Sequence, residues 1–599
     1  MKILRRLLCA LLVVSAAVAA ERPNIVVFLA DDQGWGDLSL NGNTGIRTPN
    51  IDSLARDGVK LDRFFVCPVC SPTRAEFLTG RYHPRTGVRG VSTGQERLNF
   101  DEKTLADVFK AAGYATGAFG KWHNGSQWPY HPNARGFDEY YGFTSGHWGE
   151  YFDPPLERNG QPVRGQGFIV DDLTDHALAF IEKNQRKPFL CYLPYNTPHS
   201  PFAVPQDFWQ RFKDQPLVMR AKDGNKEDLD ATRCVLAMSE NIDWNVGRVL
   251  RRLEELELSA NTIVIYFSDN GPNTFRWNGG MKGKKGTTDE GGVRSPFVMR
   301  WPAKLPAGRT VPEITAAIDI LPTLTALTGV SRPGTAPLDG RDLTPLLLGQ
   351  AGNWPERTIF STWGGNVSAR TQQHRLDNKG ALYDLRADPE QTTDIAAQEP
   401  AVTAQLTAAV AAWREEVLGG AGAARGKGRD ARPYPVGYAE FPRTPLPARD
   451  GEPHGTVRRS ANAPNCSYFV NWTSKEDSMT WDIDVHTTGN YLVEIQYTCP
   501  EADAGSIIEI SFRDSKLTGK VMPGWDPPVY TNQDTIARPP AESRMKEFRP
   551  LMLGRMHLDR GRGLLTLRAL ETGGKSVMDV RAIHLTLLAG TDHKTTRPD

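Results

Sequence analysis

Several apolar runs in the N-terminal half of the chain are short, rich in β-branched and aromatic residues, and followed by polar residues. Such runs predict strands buried on both faces of a parallel sheet. They cover residues 24–30, 114–119, 188–193 and 262–267. Apolar positions recur at helical spacing over 104–112 and from about 233 to 257. The repeated order of strand, polar loop and helix predicts an α/β fold with a doubly wound, mostly parallel sheet flanked by helices.

Acidic side chains follow two of these predicted strands. Asp31 and Asp32 come directly after the first strand, and Asp269 and Asn270 come after the last. Adjacent carboxylates repel each other unless a cation holds them, so the pattern indicates either a metal site or a solvated turn. Because the carboxyl ends of parallel strands meet at one edge of a sheet, we expect the two acidic segments to lie together.

Basic side chains follow the other two predicted strands. Lys121 and His123 come after the second strand, and His199 comes after the third. A single lysine or histidine is usually structural or exposed to solvent, but these fall at the same edge as the acidic segments. A glycine-rich loop that contains Lys284 and Lys285 follows the last strand, and its glycines predict close approach of the backbone.

The pattern changes in the C-terminal third. Residues 419–455 are rich in glycine, alanine, proline and basic residues, which predicts a linker. Over 456–599 apolar and polar residues alternate in short runs, which predicts an all-β sandwich that resembles the jelly-roll modules of carbohydrate enzymes. Three aromatic residues there could stack on sugar rings, although core packing is the favoured interpretation. They are Trp472, Trp525 and Tyr530.

The length and composition of the chain indicate its number of domains, its possible partners and its cellular location. A chain of 599 residues is expected to form two or more domains. The formal net charge is +1 and no stripe of basic and aromatic residues is present, so nucleic acid is not an expected partner. Residues 1–20 carry basic residues before an apolar run and small residues, which predicts a signal peptide and an exported, periplasmic or secreted protein. No other run predicts a transmembrane helix, so no stable membrane insertion is expected.

The chain has seven cysteines, of which six follow the predicted signal peptide. This number is too small for a disulfide scaffold. Cys466 and Cys499 could pair, whereas Cys67, Cys191 and Cys234 have no evident partner and are expected to be small buried hydrophobic residues.

The most distinctive motif is Cys-Ser-Pro-Thr-Arg-Ala-Glu-Phe-Leu-Thr-Gly-Arg at residues 70–81. Ser71 suits an N-cap and Pro72 the first helical position, so Cys70 is expected at the positive end of a helix, with Arg74 close by. A redox or zinc-binding pair with Cys67 is the alternative. A zinc site would need a second cysteine pair nearby, and a redox pair would not explain Pro72 and Arg74.

This motif, C-x-P-x-R followed by L-T-G-R, resembles the signature of the type I, formylglycine-dependent sulfatases, which are arylsulfatase-like members of the alkaline phosphatase superfamily. The resemblance extends over residues 23–418. It implies a catalytic α/β domain at 21–356 with a small α+β subdomain at 357–418. It also implies that a maturation enzyme converts Cys70 to formylglycine (3-oxoalanine), whose hydrated aldehyde is the nucleophile.

The resemblance also implies a metal site. Asp31, Asp32, Asp269 and Asn270 match the metal ligands of the family, and the converted Cys70 would add a further oxygen. All of these are hard oxygen donors, which suits one calcium ion in the catalytic domain.

The remaining roles implied by the resemblance are catalytic. Arg74 would hold the nucleophile, and Lys121 and Lys285 would bind the sulfate oxygens. His199 matches the histidine that protonates the leaving oxygen, and His123 matches the one near the second hydroxyl of the hydrate.

One position differs from the family pattern, and one pair of adjacent lysines leaves a choice open. Asn124 stands where the family often has leucine. Lys284 and Lys285 are adjacent, and the spacing to Glu290 favours Lys285 as the residue that reaches the sulfate.

The resemblance implies an exported, calcium-dependent sulfatase that releases inorganic sulfate from a sulfated carbohydrate or an aryl sulfate. Its partners would be a sulfated glycan or a small sulfate ester, and the maturation enzyme. One alternative is a phosphonate or phosphate diester hydrolase of the same superfamily. Another is a secreted carbohydrate-binding protein with an inactive catalytic domain.

Overall fold

A computed structural model describes residues 22–334, 336–419 and 428–589; the predicted signal peptide lies outside them. An eleven-stranded sheet forms the centre of the N-terminal part. Its strands are β1 Asn24–Ala30, β2 Val59–Phe65, β3 Ala115–Lys121, β4 Glu139–Phe143, β5 Pro155–Arg158, β6 Gln161–Arg164, β7 Phe189–Pro194, β8 Thr262–Ser268, β9 Arg294–Ser295, β10 Phe297–Arg300 and β11 Arg309–Ala316.

The middle of this sheet is parallel and buried on both faces. Strands β8, β1, β7, β3 and β4 lie side by side in that order and run in one direction. Val26 and Phe28 of β1 pack in one hydrophobic core, and Ile25 and Val27 pack in a second core. The doubly wound α/β sheet is therefore confirmed, with antiparallel pairing only outside these five strands, where β10 pairs with β8 and β2, and β5 pairs with β4 and β6.

Helices cover both faces of the sheet. They are α1 Pro49–Arg56, α2 Cys70–Thr79, α3 Leu105–Ala111, α4 Ile169–Asn184, α5 Gln206–Phe212, α6 Leu229–Glu255, α7 Glu290–Val293, α8 Ile320–Thr328, α9 Thr344–Leu347 and α10 Pro400–Leu418. Helices α1, α4 and α6 pack in one core, and α2, α3 and α8 in the other. Within the described ranges, no helix is both long and apolar enough to cross a membrane.

A small α+β unit follows the main sheet. Its antiparallel strands are β12 Ile359–Trp363, β13 Asn366–Arg370, β14 His374–Leu376 and β15 Leu382–Asp384. Leu406 and Trp413 of α10 belong to the hydrophobic clusters that hold this sheet against the rest of the protein.

The C-terminal part consists of two six-stranded sheets that share one core. Their strands are β16 Tyr434–Val436, β17 Arg443–Pro447, β18 Glu452–His454, β19 Arg458–Arg459, β20 Phe469–Val470, β21 Ser478–Val485, β22 Gly489–Thr498, β23 Ile507–Phe512, β24 Ser515–Lys520, β25 Arg549–Leu558, β26 Gly561–Glu571 and β27 Asp579–Leu587. The alternating pattern of β21 and β22 places Trp481, Ile483, Val493 and Ile495 in this core, as expected for a sandwich.

Two expectations about the C-terminal part are corrected. The segment predicted as a linker at 419–455 contains β16, β17 and β18, which belong to the sandwich sheets. Its prolines suggested a loop, but β17 is an edge strand that pairs with β27, and proline is tolerated in edge strands. Cys466 and Cys499 do not pair: both are free, Cys466 packs with Tyr468 and Met545, and the Cys499 thiol donates to the carbonyl of Pro500.

The three aromatic residues proposed for sugar stacking have different surroundings. Trp472 is fully buried in the sandwich core, so stacking on a sugar is excluded. The Trp525 ring lies 3.6 Å from the Arg549 guanidinium, and Tyr530 packs beside the cluster of Cys466, so both already have partners within the protein.

Candidate active site

Cys70 is the first residue of α2, so its thiol lies at the positive end of the helix, as predicted. The helix begins two residues earlier than expected, with extended Val69 rather than Ser71 as the N-cap. Pro72 still falls within the first turn, where its missing N–H leaves no intrahelical hydrogen bond unmade. Cys70 is only 3% exposed, and every other residue of α2 is buried as well.

The two acidic segments meet beside Cys70, because β1 and β8 are neighbouring parallel strands. The backbone N–H of Asp32 donates to Asp269 Oδ1 over 3.2 Å, and Asn270 Nδ2 donates to Asp32 Oδ1 over 2.7 Å. Potential ligand atoms of Asp31, Cys70 and Asp269 all lie within 4.8 Å of one another. The structure thus brings all five predicted metal-site residues together.

Three oxygen acceptors in this cluster lack a partner. Asp31 Oδ1, Asp32 Oδ2 and Asn270 Oδ1 are buried, and none accepts a hydrogen bond within the part of the chain that the structure describes. Leaving buried acceptors unpaired is costly unless a cation or water satisfies them. A set of hard oxygen donors with free lone pairs fits a calcium ion better than a softer metal.

Three cations surround the carboxylates. Lys121 Nζ lies 2.6 Å from Asp31 Oδ2, Arg74 Nη2 lies 2.8 Å from Asp269 Oδ2, and Lys285 Nζ lies 2.6 Å from Asp32 Oδ1. The site therefore contains three acidic and three basic side chains.

Burial and neighbouring charges shift the pKa values of the acidic groups in different directions. Burial disfavours the ionised form of Asp32, yet Lys285 and His199 hold the pKa of Asp32 below its usual range. Burial and the neighbouring Asp31 raise the pKa of Asp269 to about 6 despite Arg74. Burial also raises the pKa of the Cys70 thiol, against the opposing charge of the nearby lysines. An unmodified Cys70 is therefore a weak nucleophile.

The structure distinguishes the two adjacent lysines. The backbone N–H of Lys285 donates to the carbonyl of Pro272, which holds the loop so that the Lys285 side chain faces Asp32. Lys284 Nζ instead donates to the carbonyl of Asn273 over 3.1 Å. Lys285 is the lysine in the cluster, as the spacing to Glu290 suggested.

His199 lies at the open side of the cluster, with Nε2 3.6 Å from Asp32 Oδ2. The backbone N–H of Asp31 donates to the carbonyl of Thr197, which connects the His199 loop to the end of β1. The side chains of His199 and Lys285 are 15% and 21% exposed, whereas the other predicted site residues are nearly inaccessible. We call these two side chains the mouth of the site. Burial lowers the pKa of His199 to about 3, although Asp32 opposes this shift.

His123 and Asn124 belong to the loop that follows β3. His123 has φ of 64°, its Nε2 lies 2.8 Å from the carbonyl oxygen of Val91, and its Nδ1 is buried without a partner among the described residues. Asn124 Nδ2 lies within hydrogen-bond distance of the carbonyl and hydroxyl oxygens of Ser71. Asn124 thus binds the first turn of α2, a contact that leucine could not make.

The two cysteines of the CxxC segment point into different clusters. Cys67 lies with Glu76 and His83, whereas Cys70 lies with Asp31 and Asp269. Both thiols are free. This separation argues against a redox pair or a shared zinc ion.

Three residues around His199, two in contact with it and one behind them, could not be predicted from the sequence. They are His147, Ser200 and Glu542. Ser200 gave no separate signal, and Glu542 lies in the C-terminal part, hundreds of residues from the motif. No local pattern could have connected it with the site.

Two family models match this chain. Residues 23–330 match the model described as Sulfatase, and residues 284–416 match the one described as N-sulphoglucosamine sulphohydrolase, C-terminal.

Curated relatives and solved structures agree with these matches. The chain is 33% identical over 392 residues to the N-acetylgalactosamine-6-sulfatase of Canis lupus familiaris, which covers 59% of this chain and 71% of that protein. It is 32% identical over 465 residues to the steryl-sulfatase of Mus musculus, which covers 61% of this chain and 71% of that protein. Ps i-CgsB in complex with k-i-k-neocarrahexaose is 29% identical, with a TM-score of 0.59 over 66% of this chain and 93% of that chain. The chain belongs to the sulfatase family of the alkaline phosphatase superfamily, and it is an enzyme of the class that hydrolyses sulfate esters.

Proposed function

We propose that this sulfatase releases inorganic sulfate from a sulfated carbohydrate, with formylglycine made from Cys70 as the nucleophile and a calcium ion beside it. The observation that carries the proposal is the position of Cys70. It opens α2 within reach of Asp31 and Asp269, in a cluster that also contains Lys121 and Lys285.

Asp31, Asp32, Asp269 and Asn270 would hold the calcium ion through their side-chain oxygens. The three unpaired acceptors of this cluster are the support for it. When bound, the ion would act as a Lewis acid that polarises an oxygen of residue 70 and offsets the charge that develops on the sulfate. Arg74 would keep Asp269 in place through its two contacts with Oδ2.

Lys121 and Lys285 would bind the sulfate oxygens. Their ammonium groups reach the cluster from two different elements, the end of β3 and the loop after β8. Positive charge fixed at these positions would stabilise the additional negative charge of the transition state in a largely water-free site.

His199 and His123 would move the protons. His199 Nε2 would donate a proton to the leaving oxygen as the ester bond breaks, and a bound sulfate adds negative charge that favours the protonated imidazole. His123 would accept a proton from the second hydroxyl of the hydrated aldehyde, so that the aldehyde returns and sulfate departs. Its unpaired Nδ1 is the support for this role.

A carbohydrate substrate is supported by the relatives. One is named for N-acetylgalactosamine-6-sulfate, and Ps i-CgsB was solved with a neocarrahexaose. The alcohol part of the ester would be bound at the mouth of the site, beside His199 and Lys285. Export through the segment 1–20, and a maturation enzyme that acts on Cys70, are parts of the same proposal.

The test is sulfate release from a panel of sulfated oligosaccharides and aryl sulfates by the mature enzyme. We expect release from at least one sugar sulfate, near-total loss in Cys70→Ala, and slower turnover of matched phosphate esters. The peptide that contains residue 70 should be about 18 Da lighter than the thiol form. Faster hydrolysis of phosphate or phosphonate diesters, or sulfate release that survives Cys70→Ala, would contradict the proposal.

A further inference from the structure

The long connection between β24 and β25 returns to the catalytic part of the protein. Its backbone and side chains bind the loops around residues 149–152 and 202–204. Gln533 Oε1 accepts from the N–H groups of Tyr151 and Phe152, and the N–H of Thr535 donates to the carbonyl of Phe202. Arg538 Nη2 donates to the carbonyl of Gly149 over 2.8 Å. This segment of the C-terminal part is therefore fixed beside the His199 loop.

Glu542 extends from this segment towards the mouth of the site. Its Oε1 accepts a hydrogen bond from Ser200 Oγ, and its Oε2 lies 3.4 Å from His147 Nε2. The side chains of Glu542 and His147 are 8% and 5% exposed, so this contact is shielded from water. The hydrogen bond from the Ser200 hydroxyl is the one that holds this carboxyl group, while Glu542 Oε2 and His147 Nε2 are in polar contact without forming a hydrogen bond.

Both partners of Glu542 contact the same nitrogen of His199. His199 Nδ1 lies 2.6 Å from the carbonyl oxygen of Ser200 and 3.3 Å from His147 Nδ1. A carbonyl oxygen can only accept, so the proton of a neutral His199 resides on Nδ1. Nε2 then carries the lone pair and faces Asp32.

We propose that Glu542 is a positioning residue for His199: through its hydrogen bond to Ser200, and its contact with His147, it holds His199 so that Nε2 is aimed at the leaving oxygen of the ester. The inference rests on the proposed function, because it assumes that His199 protonates the leaving group. The C-terminal sheets are then part of the catalytic unit, since they supply a residue that orients its acid.

The test compares leaving groups in the full-length mature enzyme. An ester whose alcohol is poorly acidic needs the proton, whereas 4-nitrophenyl sulfate leaves readily without it. We expect Glu542→Gln to lower kcat at least about tenfold on an alkyl or sugar sulfate, with less effect on 4-nitrophenyl sulfate and little change in KM. Glu542→Asp should recover part of the loss.

Glu150→Gln is the matched control. Glu150 is also buried and pairs with Arg581 across the same contact between the catalytic and C-terminal parts, but within the described residues it forms no hydrogen bond or ion pair with His199. A purely structural role for Glu542 predicts equal losses on both substrates, as for the control, and that result would overturn the inference. Absence of sulfate release from every ester by the unsubstituted enzyme would instead refute the proposed function.

Discussion

Arg74 and Asp269 form an ion pair whose side chains are both inaccessible to solvent, with Nη2 2.8 Å from Oδ2. Removing one partner of such a pair leaves an uncompensated charge in the interior. We expect Arg74→Met to lower the free energy of unfolding of the metal-free protein by about 3–5 kcal/mol, measured by chemical denaturation at pH 8.

The same variant has an internal check. Burial already raises the pKa of Asp269 to about 6, so at pH 5 this carboxyl can take up a proton and the deficit should shrink. Arg252→Met removes a partly exposed ion pair with Glu182 and should cost less than about 1 kcal/mol. An equal deficit at pH 5 and pH 8 would argue that lost packing, rather than charge, explains the effect.

Because of Glu76, we expect the stability of the folded protein to decline as pH rises. Burial raises the pKa of Glu76 from its ordinary value of 4.5 to about 8, so the folded protein keeps a proton that the unfolded chain has released. This contribution is fully present below pH 4.5 and is lost as pH rises to about 8; it is on the order of a few kcal/mol.

Glu76→Gln should remove that decline without introducing a charge. Urea midpoints at several values between pH 4.5 and 8 would compare the variant with the unsubstituted protein. We expect the difference between the two proteins to change steadily across this interval. A constant difference would show that Glu76 ionises alike in both states.

Calcium should stabilise the folded protein, because the four proposed ligands, Asp31, Asp32, Asp269 and Asn270, come together only when β1 and β8 are paired. At a hundredfold excess over its Kd, a ligand that binds only the folded state adds about 2.7 kcal/mol. We expect EDTA to lower the melting temperature and calcium to restore it, with little response in Asp32→Asn.

Asp319→Asn is the control for this measurement. Asp319 is equally buried and pairs with Arg357, but it is not one of the proposed metal ligands, so this variant should be less stable yet keep the full calcium response. Equal responses in the two variants would remove Asp32 from the metal site. A full response to magnesium alone would argue against calcium.

The two adjacent lysines offer a paired test of sulfate binding. Lys285→Met should lower kcat/KM on a sulfate ester about 10²–10³-fold, because it removes a fixed positive charge from the transition state. Lys284→Met should have little effect, because this ammonium group binds the carbonyl of Asn273. Steady-state kinetics decide the matter, and similar losses in both variants would contradict the assignment of Lys285.

Much of the catalytic fold could be predicted from the sequence. Apolar runs at β1, β3, β7 and β8 identified the central strands, since strands buried on both faces leave an uninterrupted hydrophobic pattern. The residues that follow these strands are the ones that meet in the site. Parallel topology alone explains why Asp31 and Asp269 are neighbours.

Other features depend on contacts that no local pattern encodes. Glu542 reaches Ser200 across 342 positions. The proline-rich sequences of β16 and β17 do not predict strands. Pairing with strands distant in the sequence, rather than local propensity, gives these segments their extended conformation. The N-cap of α2 was misplaced because Ser71 satisfies the sequence preference, while the extended backbone of Val69 determines where the helix begins.

The burial of α2 has a consequence for the proposed conversion of Cys70 during biosynthesis. An enzyme that converts the side chain of Cys70 must bind the surrounding motif, yet in the folded protein all ten residues from Cys70 to Thr79 are buried. If Cys70 is converted as proposed, the conversion would have to precede closure of the domain. Protein that folds in a host without the maturation enzyme would keep its thiol, and later exposure to that enzyme would repair it only after unfolding.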